Sequence, residues 1–235
     1  TELPAGLALG AVTKREDPRE VLLYRDLSDG RGFEPGLTIA QLPADLTVAT
    51  SSPRRKAQLL RLRPDWRITD IRGNVPTRLD KLAIDPRIDA TVLAHAGLRR
   101  LDFEVGKDGL LRGDAVPDGT CATIVETNEI LPCVGQGAIG IEVRESDERI
   151  AKLCQWLNHF NTQVSAEAER SFLSAMGGGC QSPVAAHAEV RREKIHMPGL
   201  SFGDGTQYSK AVVTGELNES EALGQALAEQ VKANL

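Results

Sequence analysis

Between Leu46 and Leu101 the sequence writes one grammar three times: an apolar strand-like run, a turn, then a helical run. Leu46 to Thr50 reads as strand, Ser51-Ser52-Pro53 turns, and Arg54 to Arg63 reads as helix. Ser52 suits an N-cap and Pro53 a first helical position, where a missing N–H is no loss. Arg67 to Ile71 is the second strand, Arg72-Gly73-Asn74 the turn, and Pro76 to Leu82 the helix. Ala90 to Ala94 is the third strand, followed by Ala96-Gly97 and a short helix through Arg100. Strands that alternate with helices confine this stretch to an α/β layer, with a mainly parallel sheet expected.

The flanking sequence differs in kind. Gly6 to Val12 reads as a buried strand, and Leu131 to Val143 is apolar and glycine-containing. Gly106 to Thr120 is rich in Gly, Asp and charge and is expected to be an exposed connection. Ala151 to Met176 reads as helix broken near Asn158-His159. From Val184 to Gly215 the alternation is β-like, with Gly203-Asp204-Gly205 as a hairpin turn. Leu223, Leu227 and Val231 then fall on one face of a closing helix. The last part is therefore a small α+β unit.

Composition excludes several classes. With 28 Lys+Arg against 33 Asp+Glu the net charge is −5, a poor balance for a general nucleic-acid binder. No apolar run approaches the ~18 residues of a membrane span. Aromatic residues are 4%, so the cores must be aliphatic. Cys121, Cys133, Cys154 and Cys180 form no CxxC pair, and the four histidines (His95, His159, His187, His196) show no ligand spacing, so no metal site is expected. A reducing cytoplasm is the default compartment.

The arginines carry the functional signal. Arg54 and Arg55 follow the first strand, Arg72 and Arg78 the second, Arg99 and Arg100 the third. In an open parallel sheet the carboxyl ends of the strands share an edge, and ligands bind there. Any one arginine is best read as solvated, but three groups at the same end of successive strands point to a ligand with several anionic groups. Arg61 and Arg63, further along the first helix, are expected to tolerate substitution. Gly135-Gln-Gly137-Ala-Ile-Gly140 spells GxGxxG, but it runs into the strand-like Ile139 to Val143, the wrong context for a dinucleotide. Gly177-Gly178-Gly179-Cys180 places a thiol on a flexible turn after a long helix, a better attachment point than a general nucleophile. Cys121, Cys133 and Cys154 are read as structural.

Thr50-Ser-Ser-Pro-Arg-Arg55, Arg72-Gly-Asn-Val-Pro-Thr-Arg78, Ala96-Gly-Leu-Arg-Arg-Leu101, Gly135-Gln-Gly137 and Gly177-Gly-Gly-Cys-Gln181 occur in this order, with Arg15-Glu-Asp-Pro18 ahead of them. Together they resemble the porphobilinogen deaminase (hydroxymethylbilane synthase) family of tetrapyrrole biosynthesis. The resemblance implies two periplasmic-binding-protein-like α/β domains and a third, small C-terminal α+β domain. It implies a monomeric cytoplasmic transferase, with no nucleic-acid or membrane partner. It also implies a dipyrromethane cofactor joined by a thioether to Cys180. That primer is extended by four porphobilinogen units with loss of ammonia, and the linear tetrapyrrole is then hydrolysed off. By the same match Ser52, Arg54, Arg55, Arg72, Arg78 and Arg100 hold pyrrole carboxylates, with Gln136 near the pocket.

Pro53 stands where the family usually has leucine, and Gly30 to Pro35 and Gly106 to Thr120 look longer than usual. The chain opens Thr1-Glu-Leu-Pro4 without methionine, and the family's first segment is expected upstream, with the aspartate that stabilises the developing positive charge. No catalytic residue is therefore assigned within the chain. On this view residues 1–25 and 134–155 are the remnant of an incomplete first domain, 26–133 the second, and 156–235 the third, carrying the cofactor cysteine. The competing reading is a non-catalytic or inactive module that binds an anionic ligand in the same crevice.

Overall fold

A computed structural model describes residues 3–30, 32–179, 182–203 and 207–235. The chain forms two units, Thr1–Glu16 with Pro132–Leu235, and Asp17–Leu131. After β1 (Leu7–Val12), which belongs to the first unit, the chain builds the whole of the second. Its elements are β2 (Glu20–Arg25), β3 (Thr47–Ala49), α1 (Pro53–Leu62), β4 (Arg67–Thr69), α2 (Val75–Ile84), β5 (Ala90–Ala94), α3 (His95–Arg99), β6 (Glu104–Val105), β7 (Leu111–Arg112) and β8 (Thr120–Val125).

The three expected strand–helix pairs are present, and the caps explain where the helices begin. Ser52 accepts from the Arg55 N–H and Asn74 from the Thr77 N–H, each ahead of a proline in the first turn. The sheet runs β4-β3-β5-β2-β8. β3 is parallel to β4 and β5, but β2 is antiparallel to both β5 and β8. The sheet is thus mixed rather than mainly parallel. The cause is β2, whose Val21 to Tyr24 are fully buried and serve both faces. On one face Leu22, Tyr24, Val48 and Val92 pack with Leu59 of α1. On the other, Val21, Leu23, Ala49 and Leu93 pack with Leu79 and Leu82 of α2 and Leu98 of α3.

Because β2 lies inside this sheet, the unit starts at Asp17 and not at the boundary expected after residue 25. The stretch Gly106 to Thr120, expected to be a plain connection, contains β7, which pairs with β6 as a two-stranded ribbon. Arg63 also departs from expectation. Its guanidinium donates to the carbonyls of Ile39, Leu42 and Pro43, pairs with Asp65, and lies 4.6 Å from the Trp66 ring centre.

The first unit resumes with β9 (Gly140–Arg144), α4 (Glu148–Cys154), α5 (Phe160–Ala175), β10 (Val184–Ala186), β11 (Glu189–Arg191), β12 (Lys194–Ser201), β13 (Ser209–Glu216) and α6 (Ser220–Ala233). β9 pairs antiparallel with β1, and α4 covers the pair through Ala11, Val143 and Cys154. The helix break falls where expected, with His159 capping α5. β12 pairs with β10 and β11 along one edge and with β13 along the other, all antiparallel. α5 and α6 bury Phe172, Ala168, Leu227 and Val231 against Ile195 and Met197 of β12. Residues 134–155, expected to group apart from 156–235, cluster with them here. The contact is direct through the Gly135 N–H, which donates to Glu169 Oε2, and is reinforced by β1, the partner of β9, whose Val12 donates to Asn158 Oδ1 and accepts from the His159 N–H.

Candidate functional site

The carboxyl ends of β3, β4 and β5 lie along one edge of the sheet in the second unit, as the arginine pattern requires. α1 and α2 begin there, and neither has an acid in its first turn to offset the positive end of its dipole. The antiparallel β2 adds what local sequence does not show. Its first residue, Glu20, pairs with Ala94 of β5 and Val125 of β8, which puts a carboxylate at the same edge.

Glu20 is fully buried and is held by two guanidiniums. Arg54 Nη2 donates to its Oε1 at 2.5 Å, while Arg55 Nε and Nη2 reach Oε1 and Oε2 at 3.1 and 2.7 Å. Burial alone would raise the Glu20 pKa, but the charges of Arg55 and Arg54 outweigh it and bring it down to about 2. Arg54 Nη1 also donates to the Leu131 carbonyl, which Gln58 holds as well. Arg54, 4% exposed, is therefore turned inward toward its own chain, whereas the sequence pattern read it as facing a ligand.

Arg78 is different. It is half-buried and donates through Nε to the Gly73 carbonyl. Burial, and then the like charge of Arg55, lower its pKa. Arg55 and Arg78 are thus neighbouring guanidiniums whose mutual repulsion an arriving anion would relieve, with Glu20 holding Arg55 in place. Ser52 caps α1 beside them. Arg72 and Arg100 are exposed, at the turn after β4 and at the end of α3.

Next to Glu20, Asp17 forms a fork with Arg19, whose other arm reaches Glu126. His95 Nδ1 stands 3.0 Å from Asp17 Oδ2. Burial opposes the charge on Asp17, yet hydrogen bonds from Arg19 and His95 hold it well below the usual carboxylate range.

Two further expected site residues do not belong to the second unit. Gln136 belongs to the first unit, in a turn where Gly135 and Gly137 take φ of +74° and +78°, values that side chains disfavour. Cys180 lies outside the described residues. Cys121 and Cys154 are buried, and Cys133 is exposed with its Sγ 3.4 Å from Gln136 Oε1. No group of three or more metal-ligating side chains occurs among the described residues. No helix among them is long and apolar enough to cross a membrane.

Glu20 and Asp17 were missed by sequence reasoning. The available signal was an acid opening the apolar run Val21 to Tyr24, which must find a cation once buried.

The family model described as "Porphobilinogen deaminase, dipyromethane cofactor binding domain" matches residues 1–152. The model for the porphobilinogen deaminase C-terminal domain matches residues 164–233. The chain belongs to the porphobilinogen deaminase family. It is similar to the porphobilinogen deaminase of Moorella thermoacetica, with 42% identity over 99% of this chain and 67% of that protein. For that of Geobacter metallireducens the figures are 40% over 100% of this chain and 66% of that protein. The chain thus spans about two thirds of the length of these deaminases. Among solved structures, an ABC transporter periplasmic binding protein from Brucella ovis with glutathione bound aligns with a TM-score of 0.37 at 15% identity. It covers 73% of this chain and 44% of its own, a likeness too loose to argue from.

Proposed function

We propose that the protein carrying this chain is a hydroxymethylbilane synthase, a transferase that links four porphobilinogen units on a dipyrromethane primer. The observation that supports it most is the neighbouring pair Arg55 and Arg78, with Arg55 held beside Arg54 on the buried Glu20, at the strand-end edge of a family-assigned cofactor-binding domain. Each pyrrole ring brings an acetate and a propionate, and this donor set fits such carboxylates. When bound through Cys180, dipyrromethane supplies the covalent primer on which the product is assembled.

The chain's own residues bind and orient. Arg78 offers its guanidinium to carboxylates, Arg55 adds the Nη1 that Glu20 does not take, and Arg72 and Arg100 extend the same chemistry to the exposed side. Glu20 keeps the Arg54 and Arg55 guanidiniums in one orientation before any ligand arrives. Ser52 fixes the start of α1, so that its N-terminal dipole faces the same anions. By the family match, Gln136 is read as a residue that serves the bound group. The reading includes a cytoplasmic, monomeric enzyme, and light scattering on the purified protein tests the monomer. Intact-mass measurement with peptide mapping of the complete protein tests the core of it. A dipyrromethane adduct on Cys180, lost in Cys180→Ala, supports the reading. An unmodified Cys180 in protein that turns over porphobilinogen would overturn it.

A further inference from the structure

Glu169 sits in the middle of α5 with no exposed surface. It lies on the face that carries Thr162, Ala166 and Phe172, where a bare carboxylate would be strongly unfavourable. Its two oxygens are fully engaged. Arg15 Nη1 and Nη2 grip Oε1 and Oε2 at 2.6 and 3.0 Å. The Gly135 N–H donates to Oε2 at 2.6 Å, and the Ala188 N–H to Oε1 at 2.7 Å. His187 Nδ1 stands 3.4 Å from Oε1, and its Nε2 lies 3.0 Å from Glu189 Oε1.

These contacts converge on one turn. The Arg15 fork continues through Nε to the Gln136 carbonyl at 2.8 Å, and the Glu16 N–H donates to the Gly137 carbonyl. Gln136 is therefore held from both sides: the preceding amide by Glu169 itself, its own carbonyl by the arginine that Glu169 orients. The glycines at 135 and 137 supply positive φ but no side-chain packing to hold the turn unaided.

We propose that Glu169 is a positioning residue for Gln136, acting through Arg15 and the Gly135 amide rather than by touching substrate. The inference rests on the reading that Gln136 serves the bound group. Burial works against a charged His187, but its contacts with Glu169 and Glu189 raise its pKa, which agrees with an ionised Glu169. The groups facing this centre are Arg15 from the N-terminal segment, Glu169 from α5, and His187 and Glu189 with Arg191 behind them.

The test is a double-mutant cycle in the complete, cofactor-loaded protein, using Glu169→Gln, Gln136→Ala and the pair. Glu169→Gln should lower kcat/KM by roughly 10- to 100-fold, the range for losing charge-assisted hydrogen bonds. In the Gln136→Ala background it should add little, because the route is already cut. Hydrogen exchange of the 133–137 segment should quicken in Glu169→Gln. Should that variant fail to fold, Arg15→Lys keeps the charge and removes the Nε bond to the Gln136 carbonyl, and it should show the same non-additivity. Additive losses, with Gln136→Ala itself impaired, overturn this inference and leave the functional reading standing. A silent Gln136→Ala refutes the role of Gln136 and this inference with it.

Discussion

Replacing Glu20 with glutamine removes the carboxylate that holds Arg54 and Arg55, both almost fully buried, while keeping the side chain's size. The fall of its pKa from 4.5 to about 2 corresponds to about 3 kcal/mol in favour of the charged, folded form. Breaking one side of a buried ion pair costs about 3–5 kcal/mol, since the remaining charges stay buried without compensation. For a unit of this size that cost implies a loss on the order of 15 °C in Tm. The pH dependence has a definite sign. A lowered folded pKa means the stabilisation is complete above 4.5 and drains away as pH falls from 4.5 toward 2. The gap between parent and Glu20→Gln should therefore be constant near neutrality and close on acidification. Urea unfolding of the complete protein at pH 7 and at pH 4 measures it. The same variant should bind pyrophosphate more tightly than the parent, because its guanidiniums have lost their internal anion. A Glu20→Gln protein within about 0.5 kcal/mol of the parent at pH 7, well below that range, would refute the account of this site.

Arg78→Leu should weaken binding of a carboxylate-bearing ligand by about 2–5 kcal/mol, and Arg72→Lys should also be harmful because a point charge cannot replace a bidentate fork. Porphobilinogen turnover at varied substrate concentration reads both, and full turnover in either one argues against an anion crevice at this edge. Gly224→Ala should destabilise the first unit by about 1–3 kcal/mol, although alanine is the better helix former, because the added Cβ would lie 2.3 Å from the Ala168 carbonyl oxygen. Calorimetry decides it, and a raised Tm would mean that α5 and α6 separate at small cost. Arg63→Ala should cost about 2–3 kcal/mol, as three backbone carbonyls lose a charged donor; Arg61→Ala, at an exposed position of the same helix, is the comparison.

Local sequence determined the elements and the chemistry of the edge. Ser52-Pro53 and Asn74 start α1 and α2, and Asn158-His159 breaks the long helix before α5. Leu223, Leu227 and Val231 mark the buried face of α6. Each of these signals acts between residues a few positions apart, so a single chain reveals it. The arginines behind successive strands were legible for the same reason: strand direction and strand ends follow from the alternation alone. Only the tertiary structure decided which cations turn inward to the protein and which stay exposed. Glu20 meets Arg54 and Arg55 from 34 and 35 residues away, and Arg15 meets Glu169 from 154. Nothing in the apolar run of β2 says that it enters the sheet between β5 and β8, antiparallel to both, and that placement is what carries Glu20 to the edge. A buried charge finds its partner through sheet order and helix packing, both long-range outcomes of burying apolar surface on two faces at once, and local periodicity does not encode them.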